Sequence, residues 1–119
     1  MPKKEIEFLD VDKIEWKPVE GVPGAYEKIL NIDEDAESYT RLLKFEPGTE
    51  TAETLKHDFG KEVYILKESL IDKSRGKTFI EGMYAYRPPG VVHRLYSVPF
   101  GCDTLEMRYY KKSIDYDFV

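Results

Sequence analysis

The sequence predicts an all-β protein with antiparallel strands, a small sandwich or barrel. Short segments of alternating apolar and polar residues recur along the chain and are punctuated by turns every eight to twelve residues or so. β-Branched and aromatic residues are frequent, with nine tyrosines, and proline and glycine interrupt the chain too often for long helices. At 119 residues the chain fits one domain, 1–119, with one core and no need of disulfides or structural metal.

Taken in order, residues 1–24 carry a brief apolar-polar pattern (Ile14, Trp16, Val19) that ends in the turn cluster Gly21-Val22-Pro23-Gly24. Tyr26 to Ile32 reads as a strand, and Asp33-Glu34-Asp35-Ala36-Glu37 as a solvated turn. In the strand Ser38 to Glu46, Tyr39, Arg41, Leu43 and Phe45 share one face, with Thr40, Leu42 and Lys44 on the other. Pro47-Gly48-Thr49 stops it. The next strands are Thr51–His57 and Glu62–Ile71, separated by Asp58-Phe59-Gly60-Lys61. Lys73-Ser74-Arg75-Gly76 is a hairpin turn into Lys77–Ile80. Met83–Arg87 precedes Pro88-Pro89-Gly90, His93–Val98 follows it, and Pro99-Phe100-Gly101 leads into Cys102–Tyr110. Residues 1–32 form an N-terminal arm of edge strands, and 38–110 the core of the domain.

Composition excludes several functions. A net charge of −5, with Lys and Arg scattered among carboxylates, argues against nucleic acid as a partner. No stretch approaches the roughly 18 apolar residues of a membrane span, and no signal peptide is visible. A single cysteine, Cys102, rules out an internal disulfide and suits a reducing, cytoplasmic setting. It has no local base and reads as a small buried residue.

The chemistry-bearing residues cluster in two places. Gly82, five residues, Pro88-Pro89-Gly90, two residues, His93, three residues and Ser97 resembles the second cupin motif, G-x5-P-x-G-x2-H-x3-N, with Ser97 in place of the asparagine. Upstream, the run from Gly48 to Leu66 is similar to the first motif, G-x5-H-x-H-x(3,4)-E-x6-G. Aligned on Glu62, it puts His57 at the second histidine and Leu55 at the first, and the closing glycine, due near Glu68 and Ser69, is missing. The chain looks like a small single-domain cupin related to the cupin domain of zinc-binding anti-sigma factors and to acetylacetone-cleaving dioxygenases.

That resemblance implies a cupin jelly roll, with His57, Glu62 and His93 as ligands of one divalent metal ion (Fe, Zn, Ni or Mn). Two histidines and a carboxylate leave coordination positions open for substrate. Glu53, which shares a strand face with Leu55 and His57, is a candidate for the vacant ligand place or for acid–base work, and Tyr64 is the other acid–base candidate. Leu66 and either Tyr84 or Tyr86 are expected to face inward with it. Glu106 and Arg108 alternate with Leu105 and Met107, so either pair could face the interior. The function implied is a mononuclear metal-dependent enzyme, dioxygenase-like, that cleaves a carbon–carbon bond in a small β-dicarbonyl, keto acid or phenolic substrate. The alternatives are a metal or ligand sensor and a metal-free isomerase-like or binding cupin. A homodimer is expected, through exchange of edge strands.

Overall fold

The computed structural model describes residues 2–51, 59–90 and 95–110, and of Tyr110 only the backbone. Most of the expected strand Thr51–His57 lies outside these residues, as do Glu53, His57 and His93. The architecture is antiparallel β throughout. A single turn of 3-10 helix, Val11–Lys13, is capped by the Asp10 carboxylate, which accepts from the Asp12 amide at 3.1 Å.

Among the described residues nine strands follow: β1 (Lys17–Pro18), β2 (Ala25–Asp33), β3 (Ser38–Phe45), β4 (Thr49–Glu50), β5 (Phe59–Asp72), β6 (Lys77–Ile80), β7 (Tyr84–Arg87), β8 (Tyr96–Val98) and β9 (Cys102–Tyr110). They pair in the order β1-β2-β3-β9-β5-β8-β4, with β6 and β7 also on β5. The fourteen-residue β5 explains how the sheet closes. Its first half lies between β7 and β9, while its second half pairs with β6 and β8, so one strand serves both walls of a jelly roll. The change of wall follows a register shift between Ile65 and Lys67, next to Glu68 at φ 62°. A bulge of this kind bends a strand and increases its twist. The other predicted strands of the core are present among the described residues, but β5 begins at Phe59, so Phe59, Gly60 and Lys61 belong to the sheet rather than to a turn.

The interior is divided along its length. At one end Ile65, Val98 and Cys102 form an apolar core, with Phe45, Leu70 and Phe79 packed against it. The N-terminal arm crosses the outer face of β2 and β3. There the Lys28 and Lys44 ammonium groups lie over the Trp16 ring at 4.7 and 5.2 Å, and Lys28 also donates to the Val11 carbonyl at 3.0 Å. Among the described residues no helix is long and apolar enough to cross a membrane.

Candidate functional site

The polar end of the interior opens into a pocket of about 480 Å³. That volume is ordinary for a small-molecule site. Strand register dictates its lining. Across β3, β9 and β5, Leu43, Thr104 and Ile65 form one rung; Arg41, Glu106 and Val63 the next; Tyr39, Arg108 and Lys61 the third. On the far side of β5, Ala85 stands opposite Val63 and Arg87 opposite Lys61. Each rung adds inward side chains to one face, because partners in a ladder share a side.

The outcome is a buried ionic constellation centred on Glu106, which is 1 % exposed. Its Oε1 accepts from Arg41 Nε at 2.9 Å and Arg108 Nε at 2.8 Å, with Arg41 Nη2 also at 2.8 Å. Its Oε2 faces Lys61 Nζ at 3.4 Å. Arg41 is braced from behind by Glu27 at 3.1 Å, and Arg108 lies over the Phe59 ring at 4.5 Å. Arg87 donates to the Tyr96 hydroxyl and its guanidinium lies over that ring. Burial pushes the Glu106 carboxyl up, but Lys61, Arg41 and Arg108 together reverse this and bring it down to about 2. Burial also pushes the Lys61 ammonium down, against the pull of Glu106, and the three neighbouring arginines add to that depression. Thr104 lines the same pocket; it is buried, and its hydroxyl has no hydrogen-bond partner among the described residues.

The expectation that Glu62 and Tyr64 turn inward is corrected by this register. Both alternate with Lys61, Val63 and Ile65 and stand on the outer face of β5. The Glu62 carboxylate accepts from the Tyr84 hydroxyl at 2.6 Å and the Tyr109 hydroxyl at 2.5 Å, and these bonds hold its pKa below the usual carboxylate range. Tyr64, Tyr84 and Tyr86 are exposed on that face. On β9 the open question of phase is resolved: Glu106 and Arg108 face inward, Leu105 and Met107 outward. Cys102 is buried in the core, and burial pushes its thiol up to about 11.

Lys61 is the residue that sequence reasoning missed, and a signal for it was present. Counting three residues rather than four after His57 puts the glutamate place of the first motif at Lys61, and six further residues put the closing glycine at Glu68. Glu68 has φ 62°, in the left-handed region that favours glycine, which supports this alignment over the one on Glu62. The second motif keeps its geometry: Gly82 and Gly90 have φ 89° and 90°, with β7 between them.

Nowhere among the described residues do three or more His, Cys, Asp or Glu side chains gather as a metal site requires. The inward carboxylate beside Lys61, Glu106, is already enclosed by three cationic side chains. A further positive charge there would be repelled.

Comparison with known structures agrees with this fold. The chain is similar to an acetylacetone dioxygenase from Acinetobacter johnsonii, with a TM-score of 0.73 and 16% identity over 89% of this chain and 75% of that one. It is similar to an RmlC-like cupin from Shewanella frigidimarina, with a TM-score of 0.69 and 20% identity over 100% of both chains. A third resemblance is to the polyketide cyclase RemF from Streptomyces resistomycificus, with a TM-score of 0.71 and 16% identity over 97% and 94%. At these identities the likeness shows the fold. No curated protein matches the chain in sequence at a significant level. The family profile described as the ChrR cupin-like domain matches residues 4–108, nearly the whole chain, and the protein therefore belongs to the ChrR cupin-like family.

Proposed function

We propose that this protein is a cupin that binds a small organic molecule in its barrel pocket and engages it through the Lys61–Glu106 constellation rather than through a metal-ligating glutamate. The observation that carries the reading is the pocket itself. An apolar floor of Leu43, Phe45, Ile65 and Val98 faces a few convergent polar groups held rigidly by the sheet. Pockets of this make-up, mostly apolar with a small number of fixed polar anchors, are the usual form of a small-molecule site.

A second reading, the metal-dependent and dioxygenase-like one, is favoured by the intact geometry at Gly82 and Gly90. It also draws on the likeness to the acetylacetone dioxygenase. His57 and His93 would supply its ligands, and Fe, Zn, Ni or Mn its ion. Metal analysis of protein purified without chelator, before and after reconstitution with each ion, separates the two. The first reading expects far less than one equivalent bound and no difference in the His93→Ala variant. One equivalent retained by the wild type and lost in that variant would put the metal-dependent reading first.

A further inference from the structure

We infer that Lys61 captures the occupant of this pocket covalently, as the imine of a small aldehyde or ketone. The inference rests on the pocket being a ligand site, as proposed above, and adds the chemical class of the ligand and the bond that holds it.

Position is the first argument. Lys61 lines the pocket with its side chain nine-tenths buried. On its face of β5 it stands between Phe59 and Val63, so its amine is set beside apolar groups rather than in open water. The charged groups that act on it are Glu106 and Arg108 from β9, Arg41 from β3 and Arg87 from β7. If Glu106 needed only a counter-ion there, arginine would serve better, because its planar fork grips a carboxylate. Arg41 and Arg108 do so at 2.8–2.9 Å, while Lys61 makes the loosest of these contacts, at 3.4 Å. Lysine adds what arginine does not: an amine that can lose its proton and act as a nucleophile. Burial lowers the Lys61 ammonium below its ordinary range, Glu106 pulls it back, and the three arginines add to the lowering. Apolar burial and cationic neighbours are the two settings that activate an imine-forming lysine.

Chemistry is the second argument. The amine lone pair adds to the carbonyl carbon, the carbonyl oxygen takes up a proton to give a carbinolamine, and that hydroxyl leaves as water. In sum, a lysine ammonium and a carbonyl compound give an iminium ion and one water, with no oxidant or reductant. One positive charge stands on the nitrogen before and after. Glu106 therefore keeps a cation beside it, and the charge of the ionic cluster does not change. The third argument concerns the rest of the ligand. Leu70 and Phe79 extend the apolar floor below the charged end, so the pocket suits a carbonyl group joined to a short-chain or aryl body.

The test uses the full-length protein, with benzaldehyde and butanal as probes and sodium cyanoborohydride to fix any imine as a stable secondary amine. Peptide mapping by mass spectrometry then reads the label at each lysine, with the exposed Lys67 and Lys77 as references within the same chain. Burial alone would make Lys61 the slower to react. Lys61 is instead expected to take the label at least tenfold faster than either reference. The Lys61→Arg variant, which keeps a cation beside Glu106, is expected to show no fast label at all. The comparison within the wild-type chain decides the matter even where that variant fails to fold. A ratio below tenfold, in protein that binds benzyl alcohol or butanol by calorimetric titration, would overturn the imine while the pocket reading stands. If the ratio is below tenfold and neither alcohol binds at millimolar concentration, the pocket reading falls as well.

Discussion

Replacing Glu106 by glutamine removes a carboxylate on which Lys61, Arg41 and Arg108 converge, with almost no change of shape. A carboxyl lowered from 4.5 to about 2 on folding contributes ~3 kcal/mol of stability at neutral pH. The variant also leaves the buried Arg41 and Lys61 and the partly buried Arg108 facing one another, and breaking a buried ion pair from one side typically costs about 3–5 kcal/mol. Glu106→Gln is therefore expected to destabilise the fold by about 3–5 kcal/mol, or to lower Tm by about 12–20 °C for a chain of this size. Because the folded pKa lies below the unfolded one, the contribution is fully present above the unfolded value and is lost as pH falls from about 4.5 through about 2. Melting curves followed by circular dichroism across that range should show the gap between wild type and variant closing as pH falls. A gap under ~1 kcal/mol at neutral pH, or one that stays constant down to the acid limit, would refute the account of Glu106 as the site's counter-ion.

Three other outcomes follow from the same geometry. Glu68→Gly should stabilise the protein by about 1 kcal/mol in urea denaturation, because Glu68 sits at φ 62° on an exposed bulge. Glu62→Gln should bring the titration of Tyr109, pushed up to about 12 by burial and then by its bond to Glu62, back toward the ordinary phenol range in ultraviolet difference spectra. The same variant should leave metal content and ligand affinity unchanged, since the carboxylate stands outside the pocket. Cys102, buried and raised to about 11, should resist Ellman's reagent in the native protein at mildly alkaline pH and react promptly once the protein is unfolded.

Much of the fold was legible because alternation and turn chemistry agree. β3 shows Arg41, Leu43 and Phe45 on one face as read, and β6 and β9 keep their predicted bounds. The phase of β9 was not legible, and the reason is physical. The usual rule places apolar residues inside and charged ones outside, but here Glu106 and Arg108 line a pocket while Leu105 and Met107 face outward. That exterior is not ordinary surface. Leu105 sits opposite Leu42, beside strands whose outer face the Trp16 arm covers. Local pattern fails where a strand's inner face lines a polar pocket rather than an apolar core.

The candidate site turned on a single residue of register. Lys61 and Glu62 are neighbours in a strand, so they face opposite sides and carry opposite charges. Aligned on Glu62, the first motif gives a carboxylate in the pocket and, with it, a cation site. Aligned on Lys61, it gives an ammonium in the pocket. Spacing alone allowed both. Two backbone facts choose between them: the closing-glycine place falls on the left-handed Glu68, and the ladder pairs Lys61 with Arg108 and Arg87 on the pocket face. Once Lys61 is inside, a carboxylate within its reach is needed, and Glu106 provides it from β9. The lysine and the inverted phase of β9 are therefore one adaptation, each explaining why the other is tolerated in the interior.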